Sequence, residues 1–167
     1  MFTELFPIEG PWPGHLAVSA RPRGGDWLEQ EMREWRHAGV DFIVSLLMPE
    51  EAVDLDLEQE QAQSEANGIE FYSFPIVDRS VPASEVGVQH LLREIDSKLR
   101  RGKNAVIHCR QGVGRAGLMA AALLIEQGLS AEEAIRRVSA ARSTPIPETD
   151  EQLLWIESFA ATPARKS

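Results

Sequence analysis

The sequence predicts an α/β fold: a single domain built on a central, mostly parallel, twisted sheet of about 4–5 strands, with helices on both faces. Three observations predict it. Short apolar runs alternate along the chain with segments of helical periodicity. The strand interiors are apolar, as in a mostly parallel sheet covered on both faces. The 167 residues, 43% hydrophobic and 26% charged, suit one globular unit with a sizeable core.

Taken in order, the opening through Pro11-Trp12-Pro13-Gly14 is turn-rich, and His15-Leu16-Ala17-Val18-Ser19 reads as a first strand. Trp27, Met32, Trp35 and Ala38 lie at helical spacing, and Gly39 supplies the left-handed residue that ends such a helix. Asp41 to Leu47 is a buried strand stopped by Pro49. Residues 54–66 are rich in Glu and Gln, which predicts an exposed helix ending near Asn67-Gly68. Ile69 to Phe74 is the next strand, and a loop from Pro75 to Pro82 leads to a helix with Val88, Leu91, Leu92, Ile95 and Leu99 on one face. Ala105-Val106-Ile107 is a further strand. The run from Ala116 to Ile125 is too long and too rich in Ala and Leu for a strand, so it reads as a buried helix. Ser130-Ala131-Glu132-Glu133 has the form of a capping box before a helix carrying Ala134, Ile135, Val138 and Ala141. A last helix carries Leu153, Leu154, Ile156 and Phe159. The domain is expected to span residues 1–160, with 161–167 a disordered tail.

The chemistry concentrates in His108-Cys109-Arg110-Gln111-Gly112-Val113-Gly114-Arg115, which holds the one cysteine of the chain. A short loop between a strand and a helix N-terminus turns its N–H groups toward an anion, and the helix dipole favours negative charge there. Gly112 and Gly114 let the backbone close up, and Arg115 adds a planar fork matched to phosphate oxygens. Arg110, Gln111, Gly112, Val113, Gly114 and Arg115 are therefore the candidate phosphate-binding residues. The same field stabilises a thiolate, so Cys109 is a candidate nucleophile. A buried, inert cysteine is the competing interpretation, which the two glycines and the arginine at set positions argue against. Gly112 to Gly117 also fits the dinucleotide pattern G-x-G-x-x-G, but that motif needs a second strand after the helix and a helix is expected there.

Attack of a thiolate on a phosphate ester expels an oxyanion that needs a proton. Asp78, in the loop at the carboxyl end of the strand before Pro75 and thirty-one residues ahead of Cys109, is the candidate acid, although Asp is also a common turn residue. His108 either orients the loop or is an ordinary satisfied histidine. Arg110 either adds positive potential at the mouth of the site or is simply solvated.

A net charge of −9 argues against nucleic acid or an anionic membrane as partner. No apolar run approaches the roughly 20 residues of a membrane helix, and Met1-Phe2-Thr3-Glu4-Leu5 does not read as a signal peptide. One cysteine forms no internal disulfide, so a cytoplasmic location is expected. His15, His37, His90 and His108 show no ligand spacing, so neither metal nor cofactor is expected.

Together these residues resemble the cysteine-dependent protein phosphatases, the small dual-specificity type in particular. His108, Cys109 and Arg115 match the signature His-Cys-x5-Arg, and Asp78 in Pro75-Ile76-Val77-Asp78 matches the acid loop. Ile146-Pro147-Glu148-Thr149-Asp150-Glu151-Gln152 resembles the stretch whose glutamine, here Gln152, orients the hydrolytic water. Pro13 to Ala17 and Gly39 to Leu46 also look familial, so the resemblance covers residues 12–160. It implies a phosphoprotein phosphatase acting through a phosphocysteine on phosphotyrosine and on phosphoserine or phosphothreonine, with Cys109, Arg115, Asp78 and Gln152 catalytic. The family usually has Ser or Thr after the arginine, whereas this chain has Ala116, as do the slow regenerating-liver phosphatases. That leaves open an alternative, a slow-turnover module acting mainly by binding a phosphoprotein. Alanine is also simply a good residue for the first turn of a helix.

Overall fold

The computed structural model describes residues 3–162. Its sheet has five strands, β1 (Phe6–Ile8), β2 (Leu16–Ser19), β3 (Phe42–Ser45), β4 (Glu70–Ser73) and β5 (Ala105–His108), in the spatial order β1-β2-β5-β3-β4. The pairings β2–β5, β5–β3 and β3–β4 are parallel, and β1 alone runs antiparallel. The apolar runs of the sequence thus become the parallel strands. β1 lies inside the turn-rich opening, where three residues with Pro7 in the middle carry no strand signal. An edge position tolerates that proline, since its missing N–H can face away from the ladder.

The helices are α1 (Leu28–His37), α2 (Pro49–Asp54), α3 (Glu60–Ala66), α4 (Glu85–Arg100), α5 (Arg115–Glu126), α6 (Ala131–Arg142) and α7 (Asp150–Ala161). Side chains alternate across the strands, so each strand feeds two cores. Leu16, Val18, Phe42, Val44, Ala105 and Ile107 pack with α4, α5, α6 and α7. Ile43 and Val106 turn the other way, onto Leu28, Met32 and Trp35 of α1. α5 is buried from Arg115 through Ile125, which its small residues permit by letting neighbours approach. The expected exposed helix over 54–66 is instead mostly turn from 55 to 59 followed by the shorter α3, and Leu57, Glu60 and Ser64 are buried. Those three residues recur at helical spacing on the inward side, where the acidic composition of the segment conceals them. α5 is followed by α6, capped by Ser130 Oγ accepting from the N–H of Glu133 at 3.1 Å. Among the described residues no strand follows α5, so the dinucleotide pattern lacks its context. α7 runs through Ala161, and of the expected tail residues 163–167 lie outside the described residues.

Glu31 of α1 is fully buried and accepts from the backbone and hydroxyl of Thr3 and from the backbone and guanidinium of Arg23. Burial works to raise its carboxyl, and the bonds from Thr3 and Arg23 outweigh it and hold the group below the ordinary glutamate range. Asp41 and Asp96 are lowered in the same way, burial opposing and Asn104 with Arg36, or Arg100 with Trp12, prevailing. A carboxylate with a depressed folded-state value contributes stability above its unfolded value, and that stability is lost as pH falls through the folded value. The unfolding midpoint is expected to drop as pH is lowered from about 5 to about 3. Glu31→Gln is expected to lower stability near neutrality and flatten that slope, as thermal unfolding across the range would read; an unchanged slope would remove Glu31 from the account.

Candidate active site

Cys109 follows β5, the central strand of the sheet, and its side chain is buried at 2% exposure. The loop from Cys109 to Gly114 then enters α5. Its carbonyls are held from outside. The oxygen of Arg110 accepts from the N–H of Arg21 at 3.3 Å. Those of Gly112 and Gln111 accept from Arg142 Nε and Nη2 at 3.1 and 3.2 Å. A trans peptide points its C=O and the next N–H in opposite directions. The N–H groups of Gln111, Gly112 and Val113 therefore face the concave side, where Gly112 N–H already donates to Cys109 Sγ at 3.3 Å. Such a ring of inward amides is an anion nest. Arg142 is steadied in turn by the ring of Phe6 in β1, 4.0 Å from its guanidinium carbon.

Arg115 is also buried, at 2% exposure. Glu51 of α2 grips one edge of its guanidinium, Oε1 to Nη1 at 2.7 Å and Oε2 to Nη2 at 3.0 Å. Nη1 donates further to the carbonyl of Ile76 at 2.8 Å. Burial works to raise the Glu51 carboxyl, and Arg115, the Met48 N–H and Arg110 together hold it below its ordinary value. The fork is thus fixed in direction before any ligand arrives. Nη2 also donates to Asp78 Oδ1 at 3.0 Å, so the candidate acid and the candidate phosphate clamp meet.

A cavity of about 130 Å³ opens over Cys109, bordered by Asp78, Arg79, Arg110, Arg115 and Glu148, with Gln111 on its rim. Gly112, Val113 and Gly114, expected to bind phosphate, do not border the cavity, and the Val113 side chain packs on the larger core. Arg110 is not merely solvated: its Nε donates to Glu51 Oε2 at 3.3 Å. Gln152 is fully buried beside the loop but does not border the cavity. Its Oε1 accepts from the N–H groups of Glu148 and Thr149 at 3.1 and 3.3 Å, and its Nε2 donates to the carbonyl of Ser80 at 2.9 Å. It therefore caps α7 and ties the Asp78 loop to it. His108 is buried against Glu60. Among the described residues no group of His, Cys, Asp and Glu could hold a metal ion.

Glu51, Glu60 and Arg142 escape sequence reasoning. Glu51 carries a local trace, an acid three residues after Met48 in a helix opened by Pro49; Arg142, in a last helical turn, carries none.

The family described as "Polymorphic toxin system, DSP-PTPase phosphatase" matches residues 18–129. The chain belongs to this family. Of the similar proteins, the Bos taurus protein tyrosine phosphatase domain-containing protein 1 is 34% identical over 138 residues, 77% of this chain. The chain spans 17% of that relative's length. The structure of Tk-PTP in the active form is 29% identical, with a TM-score of 0.77, covering 93% of this chain and 95% of that one. A kinase-associated phosphatase with its catalytic cysteine replaced by serine is 19% identical at a TM-score of 0.84, over 96% and 97% of the two chains, and speaks to the fold alone.

The two loop glycines of this DSP-PTPase domain answer to different constraints. Gly112 has φ +77, and a Cβ there would lie 2.5 Å from the backbone of Ser19. Gly114 has φ −75, and its Cβ would meet chiefly the Glu148 carboxylate at 2.5 Å, a flexible end that can swing away. Gly112→Ala is expected to weaken binding of inorganic phosphate about ten- to a hundredfold, and Gly114→Ala much less, as calorimetric titration would measure. Equal losses would mean that room on the concave side decides both positions.

Proposed function

We propose that this chain is a phosphoprotein phosphatase that hydrolyses phosphotyrosine, and also phosphoserine or phosphothreonine, through a phosphocysteine. The observation that carries the reading is Cys109 Sγ at the floor of a cavity with inward amides on one side and Arg115, locked by Glu51, on the other. The Cys109 thiolate attacks phosphorus, the S–P bond forms, the P–O bond to the substrate breaks, and Asp78 gives its proton to the leaving oxygen. The amides of Arg110 to Gly114 and the Arg115 fork carry the phosphoryl oxygens throughout. Water then attacks the phosphocysteine with Asp78 taking its proton, and the thiolate leaves; Gln152, beside Gly114, turns its amide from Ser80 to orient that water.

Asp78 Oδ1 accepts from Nη2 of Arg115. A phosphoryl oxygen arriving at that donor displaces the Asp78 side chain, which takes a proton from solvent and then gives it to the leaving oxygen, so binding and acid catalysis are coupled. The arginines gather locally, Arg79, Arg110 and Arg115 around the cavity, whereas the chain as a whole carries −9, which favours a phosphoprotein over nucleic acid. No helix among the described residues is long and apolar enough to cross a membrane, and a single thiol nucleophile suits a reducing cytoplasm. The catalytic domain is taken as residues 1–160.

Wild type is expected to turn over an aryl phosphate many times and Cys109→Ser not at all; activity surviving in the serine variant would end this reading. Asp78→Ala is expected to slow alkyl phosphates far more than aryl phosphates, whose leaving groups need less help. Equal losses would move the acid elsewhere.

A second reading, slow turnover with binding as the main task, is favoured by Ala116, buried in the first turn of α5. Without a hydroxyl there, the departing thiolate loses a hydrogen bond to a charged group, about 1.5–3 kcal/mol, or about ten- to a hundredfold in rate. Rapid mixing is expected to show a product burst near one equivalent, and Ala116→Ser to raise the steady rate and shrink the burst. No burst, with no gain in the serine variant, would leave Ala116 a helix-favouring residue only.

A further inference from the structure

On the sheet face covered by α1 and α3 lies a buried acid that the reaction above does not use. Glu60 opens α3 and is 3% exposed, where a carboxylate without a partner would be strongly disfavoured. Its Oε2 lies 2.6 Å from Nε2 of the fully buried His108. The other ring nitrogen, Nδ1, lies 3.4 Å from the carbonyl oxygen of Cys109. A carbonyl oxygen only accepts, so this contact requires a proton on Nδ1. A second proton lies between Nε2 and the carboxylate.

The backbone of His108 cannot follow its ring. It is registered between Ser19 of β2 and Ser45 of β3, and its carbonyl accepts from Leu46 N–H at 2.9 Å. The peptide after Cys109 is the first beyond the ladder, and its oxygen faces the imidazole. Arg21 and Arg142 hold the later carbonyls of the loop outward; the ring of His108 does so for the first one.

We propose that Glu60 is a positioning residue of the Cys109 site. Through His108 it fixes the Cys109–Arg110 peptide, which sets the direction of Sγ and turns the Arg110 N–H into the nest. This rests on reading Cys109 as the nucleophile. Glu60 touches neither Arg115 nor Arg142, so its loss acts on the attack rather than on phosphate capture.

Glu60→Leu nearly keeps the volume and removes the carboxylate that holds Nε2 of the ring, whereas Glu60→Gln, whose amide N–H can donate to Nε2, is expected to retain most of the activity. Glu60→Leu is expected to lower kcat on an aryl phosphate about tenfold, the size of one lost hydrogen bond to a charged group, with KM changed by less than about twofold. In a His108→Asn background the same change is expected to cost less than about twofold, because the two residues act as one device. Additive losses, or a KM effect alone, would overturn the proposal. Ring nitrogen spectra of wild-type protein labelled with 15N-histidine are expected to show Nδ1 of His108 protonated. A bare Nδ1 would overturn the proposal even if the Glu60→Leu variant failed to fold. If wild type turns over no aryl phosphate, the phosphatase reading fails, while the same spectra still decide whether Glu60 holds this ring.

Discussion

A loop that turns its amides inward must have its carbonyls held from outside, and much of this fold serves that constraint. Left alone, the segment from Cys109 to Gly114 would satisfy its own backbone in turns, as other short loops do. Here Arg21 N–H takes one carbonyl and Arg142 takes two. The backbone of Ser19 lies so close to Gly112 that only glycine fits. These anchors come from the end of β2 and the end of α6, with Phe6 of β1 under Arg142. The antiparallel edge strand thus contributes to the site at a distance, by stacking on the arginine that shapes the loop.

The second organising feature is the treatment of buried charge. Arg115 is nearly inaccessible, and a lone guanidinium there would be costly. Glu51 takes one edge in bidentate geometry, while the Ile76 carbonyl takes a further donor. Removing either partner of such a pair leaves the other buried and uncompensated, which is why these contacts act as a unit. The Arg115 guanidinium is in turn raised above its ordinary range: burial opposes, and Glu51, Cys109 and Asp78 prevail. The site is thus a cluster of arginines within an acidic chain, each fixed in direction by a carboxylate partner.

The Asp78 loop is held by different means. Gln152 ties Ser80 to α7, and Arg79, at φ +64, pairs with Glu148 at 3.4 Å. These contacts hold the loop over the cavity while leaving the Asp78 side chain substantially exposed. The segment from Ile146 to Gln152 therefore binds the acid loop to the last helix, and Gly114 packs against the same two side chains, Glu148 and Gln152. Acid loop, phosphate loop and α7 N-terminus meet at one junction.

What the sequence determined by itself follows from short-range physics. Apolar runs marked β2, β3, β4 and β5, helical spacing marked α1 and α4, and Ser130 marked the start of α6, because periodicity and capping are properties of neighbouring residues. Cys109, Gly112, Gly114 and Arg115 were legible together because one loop holds them, and Asp78 because of its place after a strand. The tertiary structure decided what depends on distant residues meeting. Glu51 lies sixty-four residues from Arg115, Glu60 forty-eight from His108, and Arg142 thirty from Gly112. Each is an ordinary charged helical residue in its own surroundings, and Glu60 sits in a segment whose composition reads as solvent-facing. Only the packing of α2, α3 and α6 around the carboxyl ends of the strands makes them partners, since a buried charge is recognised by what it pairs with and not by its neighbours in the chain.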